Sequence, residues 1–147
     1  MSKYDVVVAY RIYPKVSKIP LVFRDSKYDL AKLCLKSFKK SIGTLKVKVI
    51  ALLDNCPPEY ESLFTKYFKV EDLELIKLDG IGNSETFKLQ MQILLEQDYS
   101  QFIYFAEDDY FYLPGQFEKM VNFIKENPLD VDFISGSAHL NSGSFTQ

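Results

Sequence analysis

The chain has 147 residues, of which 47% are hydrophobic and 26% charged, the composition of an ordinary globular protein rather than a disordered one. Its 18 Lys and Arg residues against 20 Asp and Glu residues give a formal net charge of -2, which offers no electrostatic case for binding nucleic acid. This length predicts one domain, residues 1–147, with a sound hydrophobic core.

Along the chain, short β-rich runs alternate with segments of helical periodicity. An unbroken apolar run predicts a first strand over 6–10, of the kind that is buried on both faces. Apolar side chains at helical spacing then predict a helix over 29–42, which Gly43 ends. A second strand is predicted over 47–53. A helix over 57–68 begins at two prolines, which the first turn of a helix tolerates.

The second half of the chain continues the alternation. Alternating residues predict a third strand over 73–78, and a glycine-containing loop over 79–83 leads into a helix that Asn83 or Ser84 caps. The remaining predicted elements are that helix to 97, a fourth strand over 101–106, a helix over 114–126 and a fifth strand over 131–135. Residues 136–147, rich in Ser, Gly and Asn, are predicted to be a loop or a frayed tail.

This alternation of strands and helices predicts an α/β fold, a Rossmann-like and mostly parallel sheet with helices on both faces. In such open sheets, ligands bind beyond the carboxyl ends of the strands, where the strand order reverses. Polar residues stand at those predicted ends, namely Tyr10 and Arg11, Asp54 and Asn55, Asp79 and Gly80, and Glu107 with Asp108 and Asp109. The sequence therefore predicts one sheet edge that collects the functional groups.

Three consecutive carboxylates, Glu107, Asp108 and Asp109, stand between two strongly apolar runs. Such side chains repel one another and are costly to desolvate, and a divalent cation lowers that cost. Mg²⁺ and Mn²⁺ prefer oxygen ligands and are usually held by one or two carboxylates together with substrate phosphates. The segment therefore indicates a Mn²⁺ or Mg²⁺ site, and the alternative is a solvated acidic turn.

Each remaining candidate has a functional and a structural interpretation. Asp54 can accept a hydrogen bond from the imide N–H of a uracil- or thymine-type base, or it can form a turn or cap the following helix. Gly82 and Asn83 can bring the backbone close to a ligand, or turn the chain into a helix cap. Tyr10 and Arg11 can stack on the base and meet phosphate, although a tyrosine at a strand end is often part of the core rim.

Four segments, at 6–11, 52–55, 80–83 and 107–114, resemble the GT-A fold of nucleotide-sugar-dependent glycosyltransferases, most closely the family-2-like type found in viruses and bacteria. They read VVVAYR, LLDN, GIGN and EDDYFYLP. The segment over 28–38 also resembles the first helix of that family.

The resemblance implies that Asp54 reads the base of a UDP- or dTDP-sugar, that Asp108 contacts the ribose or the metal shell, and that Asp109 ligates Mn²⁺ or Mg²⁺. Glu107 departs from the usual Asp-x-Asp spelling, so the metal ligands are either Glu107 with Asp109 or the favoured Asp108–Asp109 pair. The donor-binding set is completed by Tyr10, Arg11, Gly82 and Asn83. The sugar would pass to the hydroxyl of an unknown sugar or protein acceptor, with no residue named as the general base.

The resemblance covers the donor-binding half of that family, and the acceptor part that carries the general base is expected to be missing. A non-catalytic nucleotide-binding module is therefore the main alternative to a metal-dependent glycosyltransferase. A metal-dependent phosphoesterase is a third possibility, but such sites draw acids from several strands and the first strand here ends in Tyr10 and Arg11. No glycine-rich dinucleotide or P-loop motif follows the first strand.

The two cysteines, Cys34 and Cys56, lack metal-ligand spacing and are predicted to be reduced thiols in a cytoplasmic compartment. The N-terminal residues carry no apolar signal region, and no stretch approaches the ~20 residues of a membrane span. We therefore expect a cytoplasmic domain without a transmembrane segment, whose partners are a nucleotide-sugar donor and an acceptor rather than nucleic acid.

Overall fold

The computed structural model describes residues 3–15, 26–128 and 138–139. Its elements in chain order are β1 Val6–Ile12, α1 Lys27–Ile42, β2 Val47–Asp54, α2 Glu59–Tyr67, β3 Leu73–Leu78, α3 Gly82–Glu96, β4 Ile103–Glu107, β5 Tyr110–Phe111, α4 Gln116–Glu126 and β6 Ala138–His139. A short 3₁₀ segment, Val70–Asp72, leads into β3. Strands and helices therefore alternate as far as β4.

The elements predicted up to residue 126 are all present, with bounds that differ by one to three residues, and β3 has the predicted bounds. The helices expected to begin at the prolines start two residues later, because Pro58 and Gly115 lie at their N-cap positions. Helix α3 begins at Gly82 with Ile81 at its N-cap, so the predicted capping by Asn83 or Ser84 is wrong.

The predicted fifth strand, 131–135, lies outside the described residues, as does most of the predicted tail over 136–147. Within that tail, the backbone of Ala138 and His139 forms β6, which pairs antiparallel with β5. The loop prediction is wrong at these two residues, because a pairing between segments distant in sequence leaves no local pattern.

The chain forms two compact units, one of residues 1–17 and 46–108 and the other of residues 18–45 and 109–147. The first contains β1 to β4 with α2 and α3, and the second contains α1, β5, α4 and β6. Each of the two units has its own packing, and the single domain over 1–147 stays a prediction.

The first unit is built on a four-stranded sheet in the order β3-β2-β1-β4, in which every neighbouring pair is parallel. Strand β2 is buried along its whole length, which its near-continuous apolar sequence requires. The register aligns Arg11 with Glu107 and Asp54 with Leu78 at the carboxyl edge. This sheet, flanked by helices, confirms the predicted Rossmann-like α/β fold.

Helices cover both faces of this sheet. Leu94 of α3 packs in one apolar core with Val7 and Ala9 of β1. On β1 the next residue, Tyr10, places its ring edge-on to Phe64 of α2, with 5.4 Å between the ring centroids. Because successive side chains of a strand point to opposite faces, α3 and α2 lie on opposite faces of the sheet.

The amino end of the sheet is closed by a buried lysine among aromatic and acidic groups. Lys48 donates from Nζ to the carbonyl of Glu71 at 3.0 Å, and its ammonium lies 4.9 Å from the ring centroid of Tyr99. Tyr4 also donates to the Glu71 carbonyl and to Asp72. Burial and the hydrogen bond to Asp72 raise the pKa of Tyr4 to about 12. These polar groups satisfy one another's hydrogen bonds, which indicates a structural role for the amino end of the sheet.

In the second unit, helices α1 and α4 pack through aromatic rings and two serines. The ring of Phe38 lies 5.1 Å from that of Tyr112 and 5.2 Å from that of Phe117. The hydroxyl of Ser37 accepts the N–H of Tyr112 at 3.1 Å, and that of Ser41 accepts the N–H of Phe117 at 2.8 Å. Two buried backbone donors, one in the segment that follows β5 and one in the first turn of α4, are therefore satisfied by side chains of α1.

Glu118 of α4 binds the turn that follows α1. Its Oε2 accepts hydrogen bonds from the hydroxyl of Thr44 and from the backbone N–H of Thr44, the latter at 2.7 Å. Both bonds favour the charged carboxylate. They lower the pKa of Glu118 below its ordinary value of 4.5, against a smaller opposing effect of desolvation.

A pH-dependent contribution to stability follows from Glu118. A pKa that is lower in the folded chain than in the unfolded chain contributes stability above the unfolded-state value, and this is lost as pH falls through the folded-state value. We expect Glu118→Gln to lower the melting temperature near neutral pH, with the difference from wild type shrinking below pH 4.5. The exposed Glu126→Gln on the same helix is the control. A deficit independent of pH would contradict this role.

Candidate functional site

The strand order reverses between β1 and β4. From β1 the chain builds outward through β2 to β3, and it then returns to place β4 on the other side of β1. Connections on the two sides of such a point diverge and leave a crevice at the carboxyl ends of the strands. The residues that leave β1 and β4 therefore define the candidate site, called here the switch-point site: Arg11, Tyr13, Glu107 and Asp108.

Arg11 joins three elements at this site. Its Nη2 forms an ion pair with Oε1 of Glu107 on β4, and its Nη1 donates to the carbonyl of Asn83 in the first turn of α3 at 3.0 Å. The two side chains are 20% and 27% exposed, so solvent still reaches the pair. The guanidinium is held by one carboxylate and one carbonyl at a strand end. Such a cation can exchange its carboxylate partner for another anion, such as a phosphate.

Asp108 provides a second link between the same strands. Its side chain is buried, and Oδ2 accepts the backbone N–H of Tyr13 at 2.9 Å. Tyr13 directly follows β1 and Asp108 directly follows β4, so this bond ties the two chain exits together. A carboxylate that accepts a backbone N–H is held in one orientation.

Asp54 performs a backbone-binding role at the end of β2. Its carboxylate is 2% exposed, and Oδ1 accepts the N–H groups of Gly80 and Ile81 at 2.7 and 2.9 Å, while Oδ2 accepts that of Gly82 at 3.0 Å. These donors lie at the N-terminus of α3, where the helix dipole favours a negative charge. Asp54 thus supplies the anion there.

These contacts favour the structural interpretations of Asp54 and Gly82. The loop that Asp54 binds precedes α3, whereas the predicted capping concerned the helix directly after β2. Gly80 and Gly82 have φ values of +79° and +87°, a left-handed backbone that glycine adopts without strain. Both oxygens of Asp54 already hold backbone donors, which is the geometry of a turn-binding carboxylate.

The other predicted donor-binding residues lie in different environments. Tyr10 is 1% exposed, and its ring packs against Phe64 inside the core, so it does not face a ligand as base stacking would require. Asn83 is exposed at the start of α3 and offers its backbone carbonyl to Arg11. Asn83 therefore contacts the switch-point site through Arg11, and the ring of Tyr10 is not part of that site.

The three consecutive acids do not form one cluster. Glu107 pairs with Arg11, Asp108 accepts the Tyr13 amide, and Asp109 is a buried residue of the second unit. Within residues 3–15 and 26–128, no group of three or more His, Cys, Asp or Glu side chains has the arrangement of a metal site. The donor chemistry still fits Mg²⁺ or Mn²⁺, since these ions take one or two carboxylates and complete their shell with phosphate and water.

Two residues that contribute to the site, Tyr13 and Gln90, were not predicted from the sequence. Tyr13 acts through its backbone N–H, which its side-chain identity does not reveal. Gln90 is a buried amide whose contacts reach both β1 and β4. A signal for Gln90 does exist, because it lies four residues before Leu94 and four after Thr86, on the face of α3 that helical spacing turns toward the sheet.

Comparison with known proteins adds no assignment. The sequence matches no protein-family model, and a search of curated proteins finds no significant match. Among the described helices, none combines the length and the apolar character needed to cross a membrane. The functional conclusion therefore depends on the fold, the switch-point site and the resemblance of the motifs.

Proposed function

We propose that this chain is the donor-binding domain of a metal-dependent glycosyltransferase that binds a UDP- or dTDP-sugar and transfers the sugar to an acceptor hydroxyl. One observation carries the proposal. A cation, Arg11, and two carboxylates, Glu107 and Asp108, lie together at the switch point of a four-stranded parallel sheet. Nucleotides bind at this position in open α/β sheets, and a diphosphate needs both cationic groups and metal ligands.

Arg11 is proposed to bind the diphosphate. In the unliganded chain its guanidinium is held by Glu107 and by the carbonyl of Asn83. A phosphate oxygen would replace the Glu107 carboxylate, because both are anions that accept from the same planar fork. Glu107 therefore acts as an internal competitor for Arg11, which makes it the less suitable of the three acids as a metal ligand.

Asp108 and Asp109 are proposed to hold Mn²⁺ or Mg²⁺. Asp109 is included because of the sequence resemblance. Asp108 is included because it directly follows β4 and the Tyr13 amide fixes one of its carboxylate oxygens. The bound cation would neutralise the negative charge that develops on the departing diphosphate. Asp54 is assigned to the loop before α3, and Tyr10 to the core, so neither is used for the base.

The proposal predicts metal-dependent binding of UDP, measured by isothermal titration calorimetry of the purified chain. We expect binding in the presence of Mn²⁺ that is lost on chelation, and a loss of about 10- to 100-fold in affinity for Asp108→Asn and for Asp109→Asn. The control is Asp98→Asn, which changes an exposed acid ahead of β4, at the opposite edge of the sheet, and should leave the affinity unchanged.

Each outcome of this titration has a defined meaning. UDP binding that is indifferent to Mn²⁺ and to both Asp variants would refute the metal site. Absence of UDP and dTDP binding in every condition would refute the function itself. Release of UDP from a UDP-sugar over time separates a transferase from the non-catalytic module, which binds the nucleotide without turning it over.

A further inference from the structure

Gln90 is a buried amide in the middle of α3 that the proposed function leaves without a role. Its side chain is 1% exposed, and it belongs to the inner row of the helix together with Thr86 and Leu94. Leu94 packs in the apolar core of the sheet, whereas Gln90 and Thr86 make the same row polar toward the N-terminus of α3. This is the helix end that adjoins the carboxyl edge of the strands.

The amide group of Gln90 bridges the two strands of the switch point. Nε2 donates to the carbonyl of Ala9 on β1 at 2.9 Å and to the carbonyl of Ala106 on β4 at 3.2 Å. These carbonyls precede Arg11 by two residues and Glu107 by one. One side chain therefore joins β1 to β4 immediately below the Arg11–Glu107 ion pair.

In addition to the backbone ladder, three contacts made by side chains connect the β1 and β4 segments, one after another toward the carboxyl edge. The first is the Gln90 amide, the second is the ion pair of Arg11 with Glu107, and the third is the bond from the Tyr13 N–H to Asp108. Gln90 is 1% exposed, whereas the ion pair is partly exposed. Burying an amide costs free energy unless its polar atoms form hydrogen bonds. The folded state is therefore favoured when both carbonyls stay within hydrogen-bonding distance of Gln90.

We propose that Gln90 is a positioning residue of the switch-point site: its bridge between the Ala9 and Ala106 carbonyls adds to the backbone ladder of β1 and β4 and restricts the relative movement of the two strand ends, and hence of Arg11 and Asp108. It acts through the strands and contacts neither nucleotide nor metal. Its effect on nucleotide binding rests on the proposed function, whereas its effect on the geometry of the site does not.

The test uses Gln90→Leu, which keeps a similar volume and removes the donor, with Gln92→Leu on the exposed face of the same helix as the matched control. Hydrogen exchange of the Tyr13 amide, followed by NMR without ligand, reports the bond to Asp108. We expect this amide to exchange about tenfold faster in Gln90→Leu, while amides of β2 and β3 keep their wild-type rates. Titration with UDP and Mn²⁺ should show affinity reduced about tenfold.

The two measurements separate the two claims. Faster exchange at Tyr13 without UDP binding by any variant, wild type included, supports the positioning role and refutes the proposed function. Wild-type exchange at Tyr13 in folded Gln90→Leu overturns the positioning role. If Gln90→Leu does not fold, Gln90→Asn takes its place, since its side chain is shorter and cannot reach both carbonyls. Uniformly faster exchange throughout the first unit would show general destabilisation and would also overturn the proposal.

Discussion

We expect Asp54→Ala to lower the free energy of unfolding by about 2–4 kcal/mol, since hydrogen bonds to a charged group are among the strongest in a folded chain. The carboxylate is buried and accepts three backbone N–H groups at the start of α3. Its removal takes the shared acceptor away from three backbone donors of the loop that leads into α3, and it removes the negative charge from the positive end of the helix dipole.

Urea unfolding followed by circular dichroism measures this loss. The matched control is Asp79→Ala, an exposed acid in the same loop, which should change the free energy of unfolding by less than about 0.5 kcal/mol. The competing role of Asp54 as a base reader has a different signature. If Asp54→Ala keeps wild-type stability but no longer prefers UDP over ADP, this would support base reading and contradict the loop-binding role.

The second large effect concerns Arg11→Met, for which we expect UDP affinity to fall by about 10- to 100-fold, since a hydrogen-bonded ion contact is worth about 1.5–3 kcal/mol. The guanidinium lies at the switch point with Glu107 and Asn83 as its partners. In the proposed complex, phosphate takes the place of Glu107. Glu107→Gln should therefore bind UDP more tightly than wild type, because an internal competitor has been neutralised.

Calorimetry at fixed ionic strength compares these variants with Lys77→Met. Lys77 is an exposed cation of β3 that pairs with Glu61, so its loss changes the net charge equally without touching the site. Equal losses of affinity in Arg11→Met and Lys77→Met would show that only bulk charge matters. Weaker binding by Glu107→Gln would contradict the exchange of Glu107 for phosphate and would favour a direct role of this acid in metal binding.

Local sequence patterns predicted the elements and their order because each pattern depends on neighbouring residues. The near-continuous apolar runs of β1 and β2 predict buried parallel strands, and the alternation of strands with helices predicts the doubly covered sheet. The bounds of β3 follow from its regular alternation. The starts of α2 and α4 were misplaced because a proline near a helix start is compatible with the first turn, the N-cap or the residue before it: Pro58 is the N-cap of α2, whereas Pro114 precedes the N-cap of α4.

The roles of the polar residues could not be predicted in the same way. Asp54 binds N–H groups 26 to 28 residues further along the chain, and Gln90 reaches a carbonyl 81 residues away. Tyr10 stands at the predicted strand end, yet the side of the sheet that its ring faces depends on where α2 packs. Such partners are brought together only by the folded topology, and no spacing in the sequence encodes them.

By itself, the sequence determined that this protein is an α/β fold and that its polar groups collect at one edge, because strand ends and side-chain alternation are local properties of the chain. The tertiary structure alone decided which of those groups meet. It directed Asp54 to the loop before α3, paired Arg11 with Glu107, and placed Gln90 beneath them. The physical reason is that burial requires every polar atom to find a partner, and long-range packing selects which partners are within reach.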